Sequence, residues 1–131
     1  MPRTVITFGT FDVLHVGHLA VLERAADLGA RLVVGVSSDD LNSRKKGRSP
    51  VFPQDERMAI VGSLKVVDEV FLEESLEKKR RYVTDHAADV LVMGDDWAGR
   101  FDDLQDITEV VYLPRTPSIS TTGIIEHIVS R

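Results

Sequence analysis

Cysteine is absent from all 131 positions of the sequence. Its absence excludes a disulfide framework, a thiolate nucleophile and a Cys-ligated zinc site. Long apolar runs are also missing, and the N-terminus passes directly into a strand pattern at Val5 rather than into a signal peptide or a membrane span. We therefore expect a cytoplasmic protein with no membrane partner.

Positive charge is in the minority, with 16 basic against 21 acidic residues and a net charge of -5. A general nucleic-acid binder needs a broad basic face, so we expect no nucleic-acid partner. The basic residues instead form two clusters, at residues 44–48 and 78–81, which favours small anionic ligands bound at particular places. The second cluster lies in a helical pattern, where a solvated surface run is the favoured interpretation.

Strand and helix patterns alternate along the chain. Apolar runs predict strands at residues 5–8, 31–36, 66–72, 90–93 and 110–113. Helices are predicted at residues 14–28, where Gly29 would stop the helix, after residue 38, from Pro53, and at residues 76–87 and 120–129. With right-handed crossovers this gives one α/β domain over residues 1–131, a Rossmann-like doubly wound parallel sheet of five strands. Ligands of such sheets bind beyond the carboxyl ends of the strands.

The loop after the first strand carries two histidines. His15 and His18 are three residues apart at a predicted helix start, so they share one face, and Gly17 between them lets a phosphate approach the backbone. Two such imidazoles can donate hydrogen bonds to a phosphate undergoing substitution. Two alternatives stay open: a pair of helix caps without a ligand, and a zinc site. The zinc site is less favoured because the spacing is not His-Glu-x-x-His and no third ligand is evident.

A second phosphate-binding pattern occurs near the C-terminus. Arg115 follows the last predicted strand, and a row of hydroxyl residues then leads into the last predicted helix. A cation and hydroxyls at a helix N-terminus suit phosphate oxygens. A capped helix without a ligand is the alternative.

Together these segments resemble the bacterial glycerol-3-phosphate cytidylyltransferases of teichoic acid synthesis, within the nucleotidyltransferases that share an HxGH element. The resemblance covers essentially the whole chain, in order. Its motifs are Gly9-Thr10-Phe11-Asp12, His15-x-Gly17-His18, Met93-Gly94-Asp95-Asp96-Trp97 and Arg115-Thr116-x-x-Ile119-Ser120-Thr121-Thr122.

The resemblance implies a role for each matching residue. His15 and His18 would stabilise charge at the α-phosphorus of CTP, and Lys45 or Lys46 would reach the α-phosphate and the acceptor phosphate, with neither lysine favoured. The implied nucleotide contacts are Gly9, Thr10, Phe11, Gly17, Asp95, Asp96, Trp97, Arg115, Thr116, Ile119, Ser120 and Thr121. Asp12 would lie near the acceptor or a magnesium ion, and the acceptor side would include Arg57, Lys65 and Lys79. A surface charge is the alternative for Arg57.

Three positions depart from the family pattern. Ser118 stands where the family usually has glycine, Lys65 where it commonly has arginine, and Leu76 where it has tryptophan. These differences fall mainly on the acceptor side.

The implied reaction is transfer of CMP from CTP to glycerol 3-phosphate by direct in-line attack, with Mg²⁺ accompanying CTP. The resemblance also implies a homodimer, for which Phe52, Phe71 and Phe101 are candidate contacts or core residues. Alternatives are ATP as the nucleotide, another acceptor (an alditol phosphate, phosphoamine, heptose phosphate or flavin nucleotide), and a nucleotide-binding sensor without turnover. A class I aminoacyl-tRNA synthetase is disfavoured because it requires a much longer chain.

Overall fold

The computed structural model describes residues 2–115 and 120–131. Its strands are β1 (Thr4–Gly9), β2 (Arg31–Ser37), β3 (Glu69–Glu73), β4 (Val90–Gly94) and β5 (Glu109–Leu113). Its α-helices are α1 (Val16–Ala26), α2 (Asp39–Lys46), α3 (Gln54–Gly62), α4 (Lys79–Asp85) and α5 (Thr121–Val129). Within the described ranges, none of the helices has the length and apolar character that crossing a lipid bilayer requires.

The five strands form one sheet in the order β3-β2-β1-β4-β5, and every neighbouring pair is parallel. The prediction of a doubly wound five-stranded sheet is confirmed. The chain builds outward from β1 to β2 and β3, then crosses back to place β4 on the other side of β1. This reversal puts the ligand-binding crevice of the fold beyond the carboxyl ends of β1 and β4.

Apolar side chains cover both faces of the sheet, which explains why the central strands are nearly continuous in apolar residues. One cluster packs α1 and α3 against the sheet through residues such as Val5, Leu22 and Val61. The other cluster covers the opposite face and includes Ile6 and Leu91. The two layers hold the strand ends, and therefore the loops that follow them, in fixed positions.

Two predicted elements differ from the structure. Val66 and Val67 do not belong to β3: the Val67 amide donates to the carbonyl of Leu64 in a turn, and the strand starts at Glu69. The helix predicted over residues 76–87 starts as a 3₁₀ turn at Leu76–Lys78 before α4. Local apolar content does not distinguish a partly buried turn from a strand, and it does not distinguish a 3₁₀ turn from the first turn of an α-helix. The sequence pattern did not predict two further 3₁₀ segments, Asp95–Trp97 and Asp102–Asp106.

Gly29 is needed for a reason other than the predicted helix stop. Helix α1 ends at Ala26 with Asp27 as its cap, and Gly29 does not have positive φ. A Cβ at Gly29 would lie 2.7 Å from the carbonyl oxygen of Arg3, which accepts hydrogen bonds from Ala30 and Arg31. Glycine therefore lets the turn between α1 and β2 pack directly on the start of β1.

Candidate active site

Two adjoining cavities open beyond the carboxyl ends of β1 and β4, at the place where the strand order reverses. The larger has a volume of about 560 Å³ and the smaller about 400 Å³. Five residues line both cavities: Gly9, Thr10, Lys46, Asp96 and Trp97. Because the cavities meet along these residues, two ligands bound there would touch each other.

The two histidines begin α1 and fix each other's orientation. His15 is the N-cap, and its Nδ1 accepts a hydrogen bond from the Gly17 amide at 3.0 Å. The Nδ1 of His18 accepts from the His15 amide at 3.1 Å. Since both Nδ1 atoms accept, each neutral ring carries its proton on Nε2. Capping of α1 therefore accounts for the hydrogen bonds that both Nδ1 atoms accept. His18, in addition, lines the larger cavity.

Both imidazoles are held in the neutral form near pH 7. Burial lowers the pKa of His15. Burial, and then the neighbouring His15, lower the pKa of His18 to about 4, against a smaller opposing effect of Asp12. The ring centroids lie 3.9 Å apart, so charging one ring disfavours charging the other. The pair is suited to donate hydrogen bonds rather than to carry positive charge.

The depressed pKa of His18 predicts a loss of stability in acid. The unfolded chain takes up this proton near the ordinary histidine pKa of 6.5, whereas the folded protein takes it up only near pH 4. Because the unfolded state binds more protons in that window, the free energy of unfolding should fall as the pH decreases from 6.5 to 4. Denaturant titrations should show a smaller decrease for His18→Gln than for the unchanged protein, and NMR should place the His18 midpoint near pH 4. A midpoint above pH 6 would contradict the geometry.

The C-terminal segment meets the histidine loop through Thr121. The hydroxyl of Thr121 donates to the Asp12 carbonyl at 2.9 Å and lies 3.3 Å from Nε2 of His15. Because its one proton is used on Asp12, Thr121 accepts from His15 Nε2–H. Ser120 caps α5 by accepting from the Gly123 amide at 3.0 Å. Arg115, at the end of β5, is exposed and lines neither cavity. The predicted contacts at Thr116 and Ile119, and the departure at Ser118, lie outside the described residues.

The loop that carries the histidines has a strained backbone. Phe11 and Val13 have φ of 54° and 49°, in the left-handed region that side-chain-bearing residues rarely adopt. The Phe11 ring packs over Gly9, where a Cβ would lie 2.9 Å from it, and edge-on to the ring of His18. Such strain occurs where the surrounding structure fixes a functional loop.

Asp12 and Arg57 clamp this loop to the segment that follows α2. The Asp12 carboxylate accepts from the amides of Val51 and Phe52 at 2.7 and 2.9 Å. Arg57 is fully buried, so the surface-charge interpretation is wrong. Its guanidinium donates to protein atoms, namely the carbonyls of Thr10, Ser37 and Phe52 and the carboxylate of Asp39. The structure thus gives Arg57 a positioning role behind the cavities.

Replacing Arg57 with methionine should destabilise the fold severely. The substitution leaves the Asp39 carboxylate and three carbonyls without their shared donor, a kind of change that typically costs about 3–5 kcal/mol. Chemical denaturation measures the loss. The matched control is Arg81→Met, which removes an exposed ion pair with Asp85 and should cost less than about 1 kcal/mol. Similar losses for the two variants would contradict the clamp.

The basic cluster at residues 44–48 contributes to both cavities. Lys45 lines the smaller cavity, Lys46 lines both, and Arg48 lines the larger. Gly47, with φ of 73°, ends α2 in the left-handed conformation and turns the chain between them. Burial lowers the pKa of Lys45, with Glu73 opposing. The structure thus distinguishes the two lysines that the sequence left equivalent.

Lys79 is buried in the smaller cavity, so the surface-run interpretation of residues 78–81 is wrong at this position. Its side chain is 4% exposed and forms an ion pair with Glu73, while Lys78, Arg80 and Arg81 are exposed. Burial lowers the pKa of Lys79, against the effect of Glu73. The prediction that Lys79 faces a substrate is compatible with this position and stays a prediction.

The remaining predicted site residues divide into two groups. Asp96 and Trp97 line both cavities, and the guanidinium of Arg100 lies 5.3 Å from the Trp97 ring. Asp95 is exposed and lines neither cavity. Lys65 is exposed and precedes β3, at the amino edge of the sheet, so the structure does not bring it to the cavities.

Comparison with known proteins is consistent with this geometry. A family model described as "Cytidylyltransferase-like" matches residues 6–127. The chain belongs to this cytidylyltransferase-like family. It is 50% identical to the glycerol-3-phosphate cytidylyltransferase of Bacillus subtilis (strain 168) over 126 residues, which cover 96% of this chain and 97% of the relative. It is 40% identical to the enzyme of the same name from Staphylococcus aureus (strain NCTC 8325 / PS 47), with 98% of this chain and 97% of the relative covered.

A solved structure shares the fold. The lipopolysaccharide core biosynthesis protein from Thermoplasma volcanium GSS1 has a TM-score of 0.75 and is 27% identical, covering 88% of this chain and 99% of its own. The cytidylyltransferase-like assignment therefore stands on sequence and on architecture.

The motifs of this cytidylyltransferase-like chain did not predict six polar lining residues: Ser37, Asn42, Arg48, Ser49, Glu73 and Arg100. Asn42 accepts from the Thr10 hydroxyl at 2.8 Å. Arg48 belongs to the basic cluster at residues 44–48, whereas Glu73 follows the predicted strand at residues 66–72 and carried no prediction. A polar residue at the carboxyl end of a parallel strand was the signal available for Glu73.

Proposed function

We propose that the protein transfers CMP from CTP to glycerol 3-phosphate, forming CDP-glycerol and pyrophosphate. The names of the two relatives support this substrate pair. The observation that carries the proposal is the junction of the two cavities, with His18 on the larger side and Lys46 on both. A transfer between two bound phosphates needs this arrangement, with donors fixed at the place where the reactants meet.

The larger cavity would bind CTP. It is lined by the backbone of the first loop, the hydroxyls of Thr121 and Thr122, and the guanidinium of Arg48. The smaller cavity would bind the acceptor, because Lys45 and Lys79 line it and neither His15 nor His18 does. Trp97, on both walls, would separate the two ligands except at the reacting phosphates.

The chemistry would be an in-line attack by an oxygen of the acceptor phosphate on the α-phosphorus of CTP, with pyrophosphate leaving. A phosphomonoester is already anionic, so no covalent intermediate with the protein is required. His18, neutral and protonated at Nε2, would donate to an oxygen on which negative charge grows. His15, whose Nε2–H donates to Thr121, would hold His18 in place through its backbone amide. Lys46 would neutralise both phosphates and reduce their repulsion.

Mg²⁺ stays part of the proposal as an ion that arrives with CTP. Within residues 2–115 and 120–131, no group of three or more His, Asp or Glu side chains could hold a metal by itself. The ion would be coordinated chiefly by phosphate oxygens and water, with one carboxylate from Asp96, which lines both cavities. Such an ion would neutralise charge on the departing pyrophosphate.

We also propose a cytoplasmic homodimer with an interface beside α1. Two of the predicted contact residues lie elsewhere: Phe101 is buried in the core, and Phe71 packs on His86. Val16, next to His15, is 63% exposed and offers an apolar contact there. Light scattering across a dilution series, with activity measured on the same samples, should show mass and activity falling together. A fully active monomer at all concentrations would disprove the interface.

The activity is tested by incubating the protein with CTP, Mg²⁺ and a panel of phosphorylated acceptors while measuring pyrophosphate release. Glycerol 3-phosphate should give the highest kcat/KM, and replacement of CTP by ATP should abolish most of the rate. A preference for another acceptor or for ATP would select one of the alternative transferases. Nucleotide binding without pyrophosphate release from any acceptor would indicate a sensor.

A further inference from the structure

Glu73 is a buried carboxylate in the wall of the smaller cavity. It is the last residue of β3 and is 1% exposed. One carboxylate oxygen accepts from the Ser37 hydroxyl at 3.0 Å, and the other accepts from Nζ of Lys79 at 2.5 Å. The side chain is therefore held at both oxygens before any ligand binds.

The carboxylate keeps capacity for further hydrogen bonds. Each of its oxygens can accept two, and one position on each is used by Ser37 and Lys79. Lys79 is itself fixed, because its ammonium lies 3.7 Å from the centroid of the Phe8 ring. A ligand in the smaller cavity thus meets an acceptor of fixed position whose charge is already balanced.

A carboxylate whose charge is paired with a lysine favours ligands with hydroxyl groups over ligands with a further negative charge. It accepts hydrogen bonds from hydroxyl groups and repels a phosphate, so the phosphate of an acceptor should stay at the junction near Lys45 and Lys46. The other end of the acceptor then points toward Glu73. Lys79 beside it can donate to the same hydroxyl oxygens, so the pair offers each hydroxyl group both an acceptor and a donor.

We propose that Glu73 determines specificity by accepting hydrogen bonds from the hydroxyl groups of a polyol phosphate. The inference rests on the proposed function and adds how the acceptor is chosen: by its hydroxyls, at the end away from the transferred group. An alkyl phosphate without hydroxyls excludes water from the remaining acceptor positions of Glu73 and donates nothing to them, and a site built for hydroxyls rejects such an analogue strongly.

The test compares glycerol 3-phosphate with 1-propyl phosphate, which has the same chain length and phosphate but no hydroxyls. The unchanged protein should favour glycerol 3-phosphate in kcat/KM by roughly a hundredfold or more. Glu73→Gln should lower kcat/KM for glycerol 3-phosphate by roughly ten- to a hundredfold, mainly through KM, as loss of a charged hydrogen bond does. The rate with propyl phosphate and the KM for CTP should change little.

The matched control is Glu74→Gln, which makes the same charge change at the next, exposed residue. Should Glu73→Gln fail to fold, the pair variant Glu73→Gln/Lys79→Gln removes both charges together and should also lose the discrimination. Equal losses with both acceptors would show a structural role and overturn the inference, as would efficient use of propyl phosphate by the unchanged protein. Absence of pyrophosphate release with every acceptor would instead overturn the proposed function.

Discussion

His18→Ala is expected to lower the turnover number about a hundredfold or more while changing the affinity for CTP much less. The Nδ1 atom of His18 is used by the His15 amide, so the free protonated Nε2 is the atom available to the larger cavity. A donor fixed in this way acts mainly on charge that develops in the transition state, and loss of one such donor typically costs a factor of about 10²–10³ in kcat. The rate of pyrophosphate release at saturating concentrations of both substrates measures the turnover number.

The control for His18→Ala is His127→Ala, a change of the same type on an exposed position of α5. The control should keep nearly full turnover. Because His18 also takes part in the capping of α1, thermal unfolding of both variants should be measured alongside activity. If CTP binding collapses while turnover at saturation survives, His18 is a ground-state contact and the proposed chemistry is wrong.

Neutralising both lysines of the basic cluster, in Lys45→Gln/Lys46→Gln, should lower turnover by about a thousandfold or more. The two side chains would face the acceptor phosphate, and Lys46 would also face CTP, so their removal leaves two anions in contact without compensation. Lys46→Gln alone should raise KM for both substrates. Lys45→Gln should affect chiefly the acceptor, because Lys45 lines the smaller cavity.

The control must avoid Lys79, which is buried. Lys78→Gln/Arg81→Gln removes the same amount of charge from exposed positions of the second basic cluster. It should keep turnover within about twofold, since surface charges outside the site act weakly at physiological salt. Equal losses in the two double variants would mean that net charge, rather than contact at the cavity junction, controls the rate.

Motifs at the ends of strands and helices could be predicted because they depend on interactions between residues close in sequence. Free amides after β1, the capping geometry of His15 and His18, and the hydroxyls before α5 depend on a few neighbouring residues. The alternation of strand and helix patterns, with right-handed crossovers, likewise predicted a doubly wound parallel sheet of five strands, and the order of the strands came from the structure. Local patterns failed at Val66 and Val67, where apolar residues pack in a turn.

Side chains whose role depends on distant partners were not predictable in this way. The resemblance placed Arg57 and Lys79 on the acceptor side, but the residues around them left a surface charge open as the alternative. Nothing within their own helices shows that carbonyls or a carboxylate from other segments surround them. Glu73, just after the predicted strand at residues 66–72, was not predicted as a site residue for the same reason. A buried charge is tolerated only where its partners are already assembled, and those partners come from up to 47 positions away.

The sequence by itself determined the fold class and the family, because both are encoded in short-range periodicity or in contiguous motifs. Tertiary structure alone decided which charges enter the cavities, how Lys45 differs from Lys46, and that Thr121 meets His15 across 106 positions. The physical reason is the sheet order. Packing β4 beside β1, with β5 on the far side of β4, brings distant strand ends to one edge of the sheet. Interactions between neighbouring residues do not determine which side chains meet there.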